Sequence, residues 1–193
     1  MKNILEDYLR RLTCAGTGRD FVSVHNKYGI FNIYCLIGPE ENIIHVSFTS
    51  RGHEQAHKQL TALNNRVSFK IIRQEDFRFN KVFENYFNGK LSGIPVTIDS
   101  PFIDAGSGFQ QKVWQQIAAI PYGSTITYQE LAEQAGSPKG ARAAGMACGA
   151  NPLPIIIPCH RVVAQNGIGG FGGGVALKRS LLALEQTKTV MSD

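Results

Sequence analysis

The chain has 193 residues, 43% hydrophobic and 18% charged, enough to bury one good core or two small ones. Its formal charge of +5 suits a polyanionic partner without demanding one, and with 13 Lys and Arg against 10 Asp and Glu in residues 1–100, and 7 against 5 in 101–193, no basic block stands out. Four sparse cysteines, Cys14, Cys35, Cys148 and Cys159, argue against a disulfide framework and for a reducing, cytoplasmic setting, and the lack of any apolar run near ~20 residues or of a signal-like first dozen argues against a membrane or secreted protein.

Ile4, Leu5, Tyr8, Leu9 and Leu12 recur at helical spacing and predict a short amphipathic helix. Three β-rich runs follow, FVSV, IFNIYCLI and IIHVSFT, with Gly38-Pro39 as turn chemistry between the last two, which reads as an antiparallel meander. A helix over about 53–64, a strand in VSFKIIR and a helix in DFRFNKVFENYF complete a small α/β domain. The turn-rich SPFIDAGSG, without periodicity, places a boundary that divides the chain into domains 1–100 and 101–193. Beyond it, FQQKVWQQIAAI carries Phe109, Val113, Trp114, Ile117 and Ile120 on one helical face and stops at Pro121 and Gly123.

Thr127 and Glu130 form a T-x-x-E capping box that starts a helix at Tyr128, and Gly136 ends it. Ser137 offers a second N-cap with Pro138 at the first helical position, and an Ala- and Gly-rich run reaches Gly149 before Asn151-Pro152 breaks it. Two helices joined by a tight glycine turn make a helix-turn-helix. The second helix has two readings: small side chains for close packing in a core, or a surface helix pressed against DNA. Arg142, costly to bury unpaired, fits the second.

In IPCHRVVAQ, Cys159 has no nearby cysteine to share a metal or a disulfide, which leaves packing or nucleophilic chemistry. The proline-rich NPLPIIIP predicts a stiff, extended connector into it. A free thiol, with a pKa of about 8.5, needs a base or a positive neighbour to react. His160 and Arg161 are adjacent in sequence, so any help from His160 passes through a water or a turn. In VALKRSLLALEQ, Leu177, Leu181 and Leu184 form a buried stripe with Glu185 at its edge, a candidate to orient the histidine; the competing reading is a solvated carboxylate at the helix end.

PCHRV, the helix-turn-helix, the Asn-Pro break, the glycine-rich IGGFGGGVALKRSLLALE and the lead-in FQQKVWQQI through IPYGSTITYQELA together resemble the O6-alkylguanine-DNA alkyltransferases, also called methylated-DNA–protein-cysteine methyltransferases. The likeness covers about residues 108 to 186. It implies a ribonuclease-H-like N-terminal α/β domain, with a small antiparallel sheet, and a mainly helical, winged helix-turn-helix C-terminal domain. The implied activity is single-turnover repair of O6-alkylguanine, with O4-alkylthymine as a related substrate, by a monomer that needs no cofactor or metal. Cys159 would take the alkyl group, His160 would act as base through a water, and Glu185 would orient it. Arg142 would fill the space left by the flipped base while the helix carrying Ser137, Lys139, Ala141 and Arg142 lies in the minor groove of double-stranded DNA. Tyr128 would hydrogen-bond the departing guanine, and Asn151 would brace the turn. Pro154 would line the alkyl pocket, the carbonyls of Cys159 and Val162 would accept from the guanine amino group, and the N–H of Gly172, where some relatives carry serine, would point at O6. Gly149 stands where some members carry a basic residue, and Cys14 and Cys35 lack partners for the zinc some members hold.

One competing motif is present. HEQAH, residues 53–57, matches H-E-x-x-H, with Glu75 or Glu84 as a nominal third zinc ligand. Gly52 and the short helix argue against it, and His53 and His57 read as surface or edge residues.

Overall fold

The computed structural model describes residues 21–38, 42–63, 69–71, 78–95 and 100–189. The helix expected over residues 4–12 and the nominal ligand Glu75 lie outside them.

Three strands form the expected meander: β1 (Phe21–Tyr28), β2 (Phe31–Ile37) and β3 (Ile43–Ser47). The two-residue turn between β1 and β2 carries Gly29 at φ 59°, which pairs Tyr28 with Phe31 and fixes the register down to Val22 opposite Ile37. Along β2, Phe31, Ile33, Cys35 and Ile37 are buried on alternate positions, and Leu36 is buried too, so this end of the sheet is covered on both faces. Helix α1 (Ser50–Leu63) leads to β4 (Phe69–Ile71), which pairs with β1 in parallel and gives the order β3-β2-β1-β4. The order and strand senses fit the ribonuclease-H-like expectation.

His53 is not a surface residue. It is buried on α1, with Ser23 Oγ 2.7 Å from its Nε2 and the ring of Tyr34 at 5.5 Å, because α1 packs on the meander. Among the described residues no group of three or more His, Cys, Asp or Glu side chains could hold a metal ion.

Helix α2 (Asn80–Phe87) begins later than DFRFNKVFENYF implied. The stretch after Asp99 is not wholly irregular: Ser100 caps a short helix, α3 (Pro101–Asp104), with proline at its first position. Helix α4 (Gly108–Ala118) starts at a Ser107/Gln110 capping box and buries Val113, Trp114 and Ile117, with Ile120 just beyond it and Phe109 half-buried.

The described residues fall into two compact units, one within Met1–Lys81 and Val96–Gly106, the other within Val82–Pro95 and Ser107–Asp193. A single cut after residue 100 does not describe them, because the segment 82–95 belongs with the second unit. That unit is mainly helical. Besides α4 it holds β5 (Ile126–Thr127), α5 (Tyr128–Gln134), α6 (Ala141–Gly149), a 3-10 helix (Cys159–Arg161), β6 (Val162–Val163) parallel to β5, and α7 (Val175–Thr189). Among the described residues no helix is long and apolar enough to cross a membrane.

Candidate active site

Local chemistry sets the helix-turn-helix. Thr127 accepts from Glu130 N at 3.1 Å while the Glu130 carboxylate accepts from Thr127 N, so the capping box closes as expected. Gly136, at φ 81°, ends α5 in the left-handed conformation. The second cap is a correction: α6 begins at Ala141 with Gly140 as its N-cap and no side-chain cap bond. Ser137 instead gives its carbonyl to Gly140 N at 2.7 Å in a turn that uses up Pro138 and Lys139 before the helix starts. On α6, Ala144 and Ala147 face the core, and Trp114 Nε1 donates to Ala147 O at 2.9 Å, tying α6 to α4. Arg142 and Lys139 are exposed and Ser137 and Ala141 half-exposed, so the small-residue helix packs into the core on one face and leaves the face of Arg142 open to solvent.

The proline-rich connector is turned rather than extended. Ile157 N donates to Leu153 O at 2.8 Å, Ile155 sits at φ 77°, and Pro154 bridges Ile157. A β-branched residue in the left-handed region is strained, and burial of Ile155 within this turn holds it there. Asn151 closes the turn at both ends, donating to Ile157 O at 2.7 Å and accepting from Leu153 N at 3.0 Å.

This turn delivers Cys159 to the start of the 3-10 helix, 7% exposed. Burial raises its thiol pKa, with the Asn151 side chain and the charge of Lys178 pulling the other way, so the resting group is the thiol. His160 is fully buried beside it, and its Nε2 lies 2.8 Å from Glu185 Oε1. Burial alone would raise the Glu185 pKa, but hydrogen bonds from His160 and Arg161 outweigh it and hold the carboxyl at about 2. An ionised carboxylate only accepts, so His160 carries its proton on Nε2 and leaves Nδ1 as a lone pair. Nδ1 is buried and has no hydrogen-bond partner among the described residues. Burial lowers the imidazole pKa, against the pull of Glu185, so the imidazole is neutral at rest.

Tyr86 and Lys178 escape the sequence reading, and Arg161 enters it only as a sequence neighbour of Cys159. Arg161 donates Nε to Glu185 Oε2 and Nη2 to Oε1, each at 2.9 Å, and Nη1 to Ile120 O at 2.6 Å. Tyr86 of α2 donates its hydroxyl to Glu185 Oε1 at 2.8 Å. Lys178 is fully buried, its Nζ donating to Val162 O and to Gly170 O. Lys178, Leu181 and Glu185 share one face of α7 at helical spacing, a signal for Lys178 that the sequence did contain; Leu177 and Leu184 are half-buried.

Tyr128, at the head of α5, donates to Gly170 O at 3.3 Å, and Lys178 Nζ lies 5.7 Å from its ring centroid. Burial and the neighbouring Cys148 and Cys159 raise its pKa, so it remains a proton donor. Cys148, on α6, has its thiol pushed up to about 12 by burial and by Cys159. Gly172 is exposed, with open space where a side chain would stand.

The family model for the 6-O-methylguanine DNA methyltransferase, DNA binding domain, matches residues 108–187. A methylated-DNA–protein-cysteine methyltransferase of Methanosarcina barkeri is 35% identical over 152 residues, 78% of this chain and 89% of that protein. The chain belongs to the methylated-DNA–protein-cysteine methyltransferase family. Another methyltransferase of this name, from Mycobacterium bovis, is 47% identical over 104 residues, 53% of this chain, which spans 61% of that relative's length. The crystal structure of the Mycobacterium tuberculosis O6-methylguanine methyltransferase superposes with a TM-score of 0.72 at 30% identity, covering 90% of this chain and 99% of that one. The structure of Mycobacterium tuberculosis OGT in complex with DNA gives 0.69 at 32% identity, covering 86% and 94%.

Proposed function

We propose that this methyltransferase-family protein repairs O6-alkylguanine in double-stranded DNA by moving the alkyl group irreversibly to its own Cys159, once per molecule, as a cytoplasmic monomer. The observation that carries this reading is the buried pair of His160 and Glu185 beside a protonated, nearly enclosed Cys159, with His160 Nδ1 left as a free base.

In the reaction the thiol proton passes through a water to His160 Nδ1, and the imidazolium is stabilised by Glu185, which stays ionised. The sulfur attacks the alkyl carbon in line, the S–C bond forms, and the C–O6 bond breaks with its electron pair left on guanine. Tyr128 supplies a proton to the departing base. The product thioether has no route back to a thiol, so turnover stops at one.

A base buried in the duplex cannot reach Cys159, so it is flipped from the stack at a cost of a few kcal/mol. The exposed face of α6 lies in the minor groove, where its small side chains allow close approach and Arg142 enters the vacated space. Ser137, Lys139 and Ala141 lie at the same end of the helix for contacts to the backbone. Asn151 and Pro154 shape the alkyl pocket. The carbonyls of Cys159 and Val162 and the N–H of Gly172 recognise the guanine edge. Val162 O already accepts from Lys178 and offers guanine its second lone pair.

The test is an intact mass spectrum after incubation with a duplex holding one O6-methylguanine, followed by peptide mapping. One methyl per protein, on the Cys159 peptide and absent from Cys159→Ala, is the expected result. DNA binding without an adduct would make the protein a lesion sensor and refute the transfer.

A further inference from the structure

Tyr86 stands on α2, outside the residues 108–187 matched by the DNA-binding domain, yet within the same compact unit as Glu185. Its side chain is fully buried, and its hydroxyl donates to Glu185 Oε1 at 2.8 Å, the oxygen that also meets His160 Nε2 at 2.8 Å. Aromatic edges fix the ring: Phe87 lies 5.3 Å away at 81° and Tyr122 6.3 Å away at 89°. A phenylalanine would fill this volume equally well without bringing a hydroxyl that must be satisfied. The hydroxyl therefore acts on the carboxylate rather than on the packing.

We propose that Tyr86 is a positioning residue for alkyl transfer: by sharing Glu185 Oε1 with His160, its hydroxyl fixes the carboxylate against the imidazole and tempers the basicity of Nδ1. The proposal rests on His160 acting as the base for Cys159. His160 is faced by Glu185 and Lys178 from α7, by Arg161 in its own turn, by the edge of Phe171 at 6.5 Å, and, through Glu185, by Tyr86 from α2. Burial and the adjacent carboxylate keep the Tyr86 phenol protonated, so its donation is constant across the range in which His160 titrates.

Removing the hydroxyl leaves more negative charge on Oε1 for the imidazolium. His160 then protonates at higher pH, and the neutral base is lost sooner as pH falls. The experiment measures the single-turnover rate of Cys159 benzylation by free O6-benzylguanine across pH for the full chain. The variants are Tyr86→Phe, Glu185→Gln, the double variant, and 3-fluorotyrosine placed at position 86. Tyr86→Phe is expected to move the acid limb up by about one unit and to slow the plateau about tenfold, the size of one hydrogen bond to a charged group. In the double variant Tyr86→Phe should add nothing to the loss from Glu185→Gln. Fluorotyrosine, a stronger donor with the same ring, should move the limb down. A limb unmoved by both substitutions, or additive losses in the double variant, would overturn the proposal while leaving the His160 base in place. A wild-type profile with no acid limb would remove the base and, with it, the role of Tyr86.

Discussion

Arg161 and Glu185 meet side-on through two charge-assisted bonds, Nε to Oε2 and Nη2 to Oε1, both 2.9 Å, with the two side chains withdrawn from solvent. Gly123 N adds a further bond to Oε2 at 3.1 Å. Such a pair costs much to desolvate and more to break, because the survivor is a buried, uncompensated charge. Arg161→Met should lower the unfolding free energy by about 3–5 kcal/mol, read from urea unfolding at neutral pH. A loss below about 1 kcal/mol would show that Glu185 finds its charge balance elsewhere.

The same carboxylate gives the protein an acid limit. Glu185 is held at about 2 in the folded chain, below its value when unfolded, so its contribution to stability is complete above that unfolded value and disappears as pH falls towards 2. His160 also has its folded pKa lowered, so the unfolded chain takes up a proton first as pH drops through about 6.5, and stability falls there as well. Denaturant unfolding should therefore weaken in two stages on acidification. Glu185→Gln should abolish the lower stage and spare the upper one.

Lys178 ties Val162 on β6 to Gly170 in the glycine-rich loop, and its charge favours the Cys159 thiolate. Lys178→Met keeps the aliphatic stem but strips both carbonyls of this donor, an expected loss of about 1–3 kcal/mol. The midpoint of Cys159 alkylation by iodoacetamide should move to higher pH. A midpoint that moved down would mean that Lys178 does not stabilise the thiolate.

Two glycines of the loop should behave in opposite ways. A Cβ on Gly169 would lie 2.8 Å from the Tyr128 ring, at a φ of 73° that side chains rarely adopt, whereas Gly172 has open space around it. Gly169→Ala should cost about 1–3 kcal/mol and displace Tyr128, slowing transfer to Cys159. Gly172→Ala should stay within about 0.5 kcal/mol of wild type. Thermal unfolding of the two variants side by side decides it.

The two serine or threonine positions read as helix caps should also separate. Thr127→Ala removes a closed capping box and should cost about 1 kcal/mol. Ser137→Ala, at a position whose side chain makes no cap bond, should be neutral in the same thermal assay.

The parts of this protein legible in its sequence are those set by local chemistry. The Thr127–Glu130 box, the left-handed Gly136, the meander strands and the stripe of α4 each depend on residues a few positions apart, where propensity, capping and turn geometry act. PCHRV and its flanks pointed to the family, and the roles expected of Cys159, His160 and Glu185 came from that resemblance, since the residues alone left Glu185 open between orienting the histidine and a solvated helix end. Where several local signals competed, the reading failed. Ser137-Pro138 carries the residues of a helix start, but the chain spends them on a turn closed by Gly140 N. The prolines of NPLPIIIP suggested an extended run, but the side chain of Asn151 folds it back on itself.

Only the tertiary structure decided what surrounds His160 and Glu185. Tyr86 lies 99 positions from Glu185, and Ser92 O, which accepts from Arg161 Nη2, lies 69 positions from Arg161. No periodicity links residues so far apart, because their meeting depends on how whole helices pack. Sequence determined which groups could do the chemistry; packing determined their charge states, since burial and the hydrogen bonds of His160 and Arg161 set the protonation of Glu185, and burial and Glu185 that of the imidazole.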